Sequence, residues 1–121
     1  MKSKRLLLML LLLTMSIMIL APLKAFPANP ITGKQVYIQL CLVCHGESGK
    51  GDGPGAAMVD PKPKSFAERW LITSKTDDSL LRVIRDGGVA SGLSAAMPPF
   101  GGALSDSQIK DLIAYIRTLA R

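Results

Sequence analysis

Apolar and polar positions recur with helical spacing in three stretches of this sequence, and nowhere with the two-residue period of a strand. The clearest stretch comes last: Ile109, Leu112, Ile113, Ile116 and Leu119 fall three or four residues apart, which gathers them on one helix face. Ser105 precedes them, with Gln108 three residues on, the arrangement of a capping box. A middle helix is expected over Asp77 to Asp86. Thr76 serves as its N-cap, and Asp77 and Asp78 suit the positive end of its dipole. Leu80, Leu81, Val83 and Ile84 form its apolar side, and Gly87 fits the stop. A first helix is expected from about Gly33 to Cys44 with Thr32 as N-cap, placing Val36, Leu40, Val43 and Cys44 on one face. Residues 46–65 and 88–104 are rich in Gly and Pro and read as loops, with a short turn near Met58. The fold class is all-α, with loops making up much of the sequence.

The N-terminus follows a different pattern. Lys2, Lys4 and Arg5 are followed by an uncharged, mostly apolar run from Leu6 to Ala21, broken by Pro22. This is the build of a secretory signal peptide, and the run is short for a membrane-spanning helix of about 20 residues. Residues 1–25 are therefore assigned to a leader and 26–121 to one domain. Small residues stand at Ala21, Ala25 and Ala28, but none has a small residue two positions before it. An uncleaved N-terminal anchor is the alternative.

Setting the leader aside changes the charge. The full sequence has a formal charge of +6, yet Lys2, Lys4, Arg5 and Lys24 leave with residues 1–25 and no acid does. The remainder carries eleven cations against nine acids, or +2. No basic stripe is left for nucleic acid. A domain this small is marginal on its core alone and commonly needs a staple. The two cysteines, Cys41 and Cys44, are too close in sequence for a disulfide to help much. A large apolar cofactor held at the centre solves the problem differently.

"CLVCH", residues 41–45, holds both cysteines and the single histidine. The pattern C-x-x-C-H in an exported protein is the attachment signature of haem c. Two thiols three residues apart on a helical turn can reach the two vinyl groups of one porphyrin as thioethers. The histidine that follows then lies beneath the ring, where haem iron takes a proximal imidazole. A thioredoxin-like pair would need a βαβ setting, and a zinc site would need a fourth ligand; the sequence offers neither. Buried Cys and His without a cofactor is the bland alternative. For a sixth iron ligand the usual remaining donor is a methionine sulfur, because no second histidine exists. Outside the leader only Met58 and Met97 qualify, and loop length excludes neither. Pro98 and Pro99 stiffen the backbone after Met97, which favours it; core filler is the reading for Met58.

Residues 32–120 resemble a class I mono-haem cytochrome c of the bacterial exported type. Gly33 and Tyr37 precede the haem motif, and Leu112 and Tyr115 lie in "DLIAYI". These four match the family's crossing of its first and last helices. The resemblance implies a small cytochrome c fold with those helices crossing and loops wrapping one covalently bound haem c. It implies Cys41 and Cys44 as attachment points and His45 and Met97 as axial ligands of the haem iron. It also implies a prolyl carbonyl accepting from the His45 ring, with Pro54 the candidate and Pro61 the second choice. The mitochondrial type's ring of lysines has no counterpart in a charge of +2.

Other residues are weighed around that site. Trp70 is expected either to hydrogen-bond a haem propionate or to pack at the haem edge with its N–H on a backbone carbonyl. Phe66 and Phe100 are expected as pocket walls. Arg69 and Lys75 could offset the propionate charge, and Lys62 and Lys64, flanking Pro63, could form a docking patch; solvated surface is the expectation for each. The function this implies is periplasmic electron transfer without catalysis. The partners would be redox proteins (an oxidase, dehydrogenase or cytochrome complex), met as a monomer, with membrane contact only through an uncleaved leader. The alternatives are an electron-entry subunit of a larger oxidoreductase and a gas-binding haem sensor.

Overall fold

The computed structural model describes residues 2–19 and 27–120. Among them the secondary structure is all helical: α1 (Lys2–Ile19), α2 (Pro30–Leu40), α3 (Leu42–His45), a single 3₁₀ turn (Ala56–Met58), α4 (Arg69–Thr73), α5 (Asp77–Ala90) and α6 (Asp106–Leu119). Residues 2–19 form α1, whose Leu6–Leu12 side chains are exposed. No helix among the described residues is long and apolar enough to cross a membrane. The proposed leader boundary lies outside the described residues.

The domain is organised by the crossing of α2 and α6. Gly33 is buried against α6, and a Cβ built there would run into the carbonyl oxygen of Asp111. Only glycine allows so close an approach of two backbones. Tyr37, 1% exposed, fills the next layer, its ring edge-on to Tyr115 with centroids 5.2 Å apart. Asp111 closes the crossing from the other side: its carboxylate accepts from the Asn29 N–H at 2.7 Å and from the Thr32 hydroxyl at 2.8 Å. The expected four-residue crossing of Gly33, Tyr37, Leu112 and Tyr115 is present. Ile109, Leu112, Ile113 and Ile116 are buried on α6, and Leu81 and Ile84 on α5.

The first helix differs from its expected bounds. It begins at Pro30, and Asn29, not Thr32, is its N-cap: the Asn29 side chain accepts from the Ile31 N–H at 2.9 Å. Proline suits this first helical position because its missing N–H would be unpaired there anyway. The helix also breaks at Cys41 (φ −112°, ψ −30°) before a short turn, α3, carries the second thiol and the histidine. The break rotates Val43 outward, to 53% exposure, so Val43 leaves the apolar face expected for it.

The other caps fall where expected. Thr76 accepts from the Ser79 N–H, and Ser105 and Gln108 form the full capping box. Gly87 takes φ 82°, a left-handed conformation that glycine adopts without strain; one further turn, to Ala90, follows the kink in place of the expected loop. Helix α4 has no counterpart among the expected elements, since five residues are too few for periodicity to register. It buries Ile72 and is tied to α6 by Arg117. That guanidinium donates to the carbonyls of Ile72 and Lys75, each at 2.8 Å, and to Asp77 at 2.7 Å through Nε. Met58 is 86% exposed and is not core filler; Ala56 is the residue its turn buries.

Gly33→Ala is expected to destabilise the folded protein by at least about 1–3 kcal/mol, the usual cost of overpacking, measured by denaturant unfolding. Ser105→Ala, which removes only a cap, is expected to cost about 1 kcal/mol.

Candidate haem-binding site

Helices α2, α3, α4, α5 and the two long loops enclose a cavity of about 650 Å³, within the range that holds small cofactors. Cys41, Cys44 and His45 form one part of its wall, and Met97 lines it too, brought from a distant loop. Leu80, Ile84, Phe66 and Phe100 supply apolar surface. Both thiols are free.

Each donor is held by its own local structure. His45 follows the break at Cys41, and its backbone N–H donates to the Cys41 carbonyl at 2.9 Å. Its ring lies nearly parallel to Phe66, with centroids 4.3 Å apart at 17°. Its Nδ1 is 3.3 Å from the Lys64 carbonyl oxygen. The carbonyl beside the ring is thus that of Lys64, not of Pro54 or Pro61. Pro54 is exposed and lies outside the cavity wall, because the tight turns of residues 46–55 carry it away. Burial lowers the His45 pKa, opposed in part by the Lys64 carbonyl, so the ring is favoured as the neutral imidazole that a metal requires. Burial, with Cys44 nearby, pushes the Cys41 thiol up to about 12. That keeps it a neutral thiol.

The loop bearing Met97 is pinned to the end of α5. The Gly88 N–H donates to the Met97 carbonyl at 2.9 Å, and the Met97 N–H to Ser94 at 3.2 Å. Gly87 makes room for the prolines that follow: a Cβ there would lie 2.9 Å from the Pro99 nitrogen and 3.2 Å from the Met97 oxygen. The Phe100 N–H returns to the Ile84 carbonyl at 3.0 Å. Met97 is thereby set on a fixed backbone, whereas Met58 stands outside the cavity wall.

Trp70 departs from both expectations. It is 68% exposed, lies outside the cavity wall, and its indole N–H donates to the Glu68 carboxylate at 2.9 Å. On a helix as short as α4, the neighbours Leu71 and Ile72 take the inward positions. Lys62, Lys64 and Lys75 are exposed as expected, but all three stand on the cavity rim together with Arg82. Asp86 is the rim's acid and is already paired with Arg85 at 3.0 Å. Sequence spacing shows Lys62 and Lys64 as neighbours but gives no sign that Lys75 and Arg82, from other segments, join them.

Two thiols, one imidazole and one thioether around a largely apolar cavity suit a haem group, and the site defines a c-type haem protein. Residues 31–120 match the Cytochrome c family; the chain belongs to that family, which brings one covalent haem c. Over 93 residues it is 31% identical to the alcohol dehydrogenase (quinone) cytochrome c subunit of Gluconacetobacter polyoxogenes, covering 73% of this chain and 18% of that protein. It is 29% identical over 93 residues to cytochrome c6 of Picosynechococcus sp., covering 76% of this chain and 74% of that one. It shares its fold with the solved KustC0563 c-type cytochrome, at a TM-score of 0.59 and 24% identity, covering 74% of this chain and 98% of that one. The protein therefore spans about a fifth of the length of the dehydrogenase subunit it resembles.

Because Trp70 is largely exposed and its indole N–H bonds only the exposed Glu68 carboxylate, Trp70→Ala is expected to change the unfolding free energy by less than about 0.5 kcal/mol. The absorption spectrum of the haem protein is expected to stay unchanged, as read by denaturant titration and spectroscopy.

Proposed function

We propose that this protein is an exported electron-transfer protein whose haem is held by thioethers to Cys41 and Cys44 and ligated by His45 and Met97. The observation that carries the proposal is that Met97 lines the same cavity as Cys41, Cys44 and His45 although it comes from the far half of the sequence. When bound, the haem supplies a one-electron iron couple. The protein's own residues do the rest. His45 offers a neutral nitrogen and Met97 a soft sulfur, and methionine ligation raises the reduction potential. Both ligands sit on braced backbone, so little geometry need change with the oxidation state. Held by both His45 and Met97, the iron would have no position open to substrate or gas. The apolar wall keeps water from the iron, and the cavity mouth leaves an edge for brief docking, as redox encounters require.

The basic n-region and apolar run at the N-terminus support export to the periplasm, with residues 1–25 as leader and 26–121 as the functional domain. Dehydrogenases, oxidases or cytochrome complexes would be the partners. The likeness to a dehydrogenase's cytochrome c subunit also favours a second reading, in which the same haem serves as the electron entry of a larger oxidoreductase. Copurification of another polypeptide with the mature protein would distinguish the two.

The ligand assignment is tested by absorption spectra with carbon monoxide. The wild type is expected to be low-spin in both oxidation states and indifferent to CO when reduced, and Met58→Ala to match it. Met97→Ala is expected to become high-spin and to bind CO. A wild type that binds CO at once would move the protein to gas sensing, and an unchanged Met97→Ala spectrum would remove Met97 as a ligand.

A further inference from the structure

His45 is held at more points than ligation to a metal requires. Its ring faces Phe66 at 4.3 Å and 17° from parallel, while its Nδ1 stands 3.3 Å from the Lys64 carbonyl. The torsion that turns an imidazole about its Cβ–Cγ bond is soft and roughly two-fold. One contact as long as 3.3 Å leaves the ring room to rock. A parallel ring does not, since rotation would drive the imidazole edge into Phe66.

Phe66 is itself fixed. Its backbone N–H donates to the Gly49 carbonyl at 2.6 Å, and its ring stands edge-on to Tyr37, at 6.5 Å and 65°. Tyr37 is the buried aromatic of the α2–α6 crossing. Its hydroxyl donates to the Gly46 carbonyl at 2.7 Å, the residue directly after His45. A continuous set of contacts thus runs from Tyr115 through Tyr37 and Phe66 to the His45 ring, and Tyr37 also grips the backbone beside it.

We infer that Phe66 is a positioning residue for the histidine ligand: with the Lys64 carbonyl it sets the plane of the His45 imidazole, and through Tyr37 it ties that plane to the helix crossing. The inference rests on the proposed ligation by His45. It goes beyond a role as cavity wall, which any apolar side chain of similar size would fill. Phe66 also covers one face of the imidazole with apolar surface. Opening that face to water favours the more highly charged oxidised iron and lowers the reduction potential.

The test uses the matured haem protein. The order of the haem-methyl resonances in the proton NMR spectrum of the oxidised form reports the orientation of the imidazole plane. Phe66→Leu is expected to change that order and lower the reduction potential while the spectrum stays low-spin. Phe66→Tyr, which keeps the stacked ring, is expected to retain the wild-type order. If Phe66→Leu does not accumulate, Phe66→Met removes the ring with similar volume and carries the same expectation. A wild-type methyl order and potential in the leucine or methionine variant would overturn the inference, as would a changed order in Phe66→Tyr. Failure of the ligation itself would show separately, in a wild type that is not low-spin.

Discussion

The close approach of α2 and α6 is the constraint on which the rest of the structure depends. The two backbones meet at Gly33 and Asp111 with no space for a side chain between them. Everything on the site side of the molecule hangs from that contact. Tyr37 is one turn beyond Gly33, and Cys41 one turn beyond Tyr37, so the depth of the crossing sets where the first thiol stands. The Asp111 carboxylate, which holds the Asn29 N–H and the Thr32 hydroxyl, fixes how far α2 can slide or turn. The attachment motif is in effect the continuation of a braced helix.

What the crossing supports is a ring of apolar side chains around a cavity, more than a solid core. The buried set is small and is concentrated on one face each of α5 and α6. Ile84 is buried in the core, while Leu80, Phe66, Phe100 and Met97 pack against that core and remain partly exposed where they line the cavity. A covalent haem would fill that cavity. It would replace the missing interior, and thioether links through Cys41 and Cys44 would keep it from leaving when the fold loosens. Fold and function would thus share one interaction: the apolar surface that lines the cavity would also keep water from the iron. Arg117 extends the bracing to the opposite wall by holding the α4–α5 junction against α6.

Much of this is legible in the sequence where local chemistry decides the outcome. The capping box at Ser105, the cap at Thr76 and the left-handed Gly87 each rest on one or two neighbouring residues, and sequence spacing is enough to find them. The crossing is legible too, because a glycine and aromatic residues at those positions have few uses besides close helix packing. The misplaced residues share a cause: they depend on where a segment is carried in three dimensions. Pro54 and Pro61 are the carbonyl acceptors expected from the sequence, but the path of the loop brings Lys64 beside His45 instead. Trp70 reads as a pocket residue by type, yet the short helix α4 turns it outward. Met58 reads as core filler by hydropathy, yet its turn needs only Ala56 inside. In the cation rim only the Lys62–Lys64 pair has a local signature; Lys75 and Arg82 join it from other segments.

The central claim is that one haem, bound through Cys41 and Cys44, is the interior of this domain. Intact-mass analysis of the protein purified after export and haem maturation, followed by acidic organic extraction and peptide mapping, tests it most directly. The account predicts the mass of the polypeptide plus a single haem, colour that stays with the protein through extraction, and the haem on the peptide containing residues 41–45. Haem that extracts freely, or a folded protein at the bare mass of the polypeptide, would contradict it.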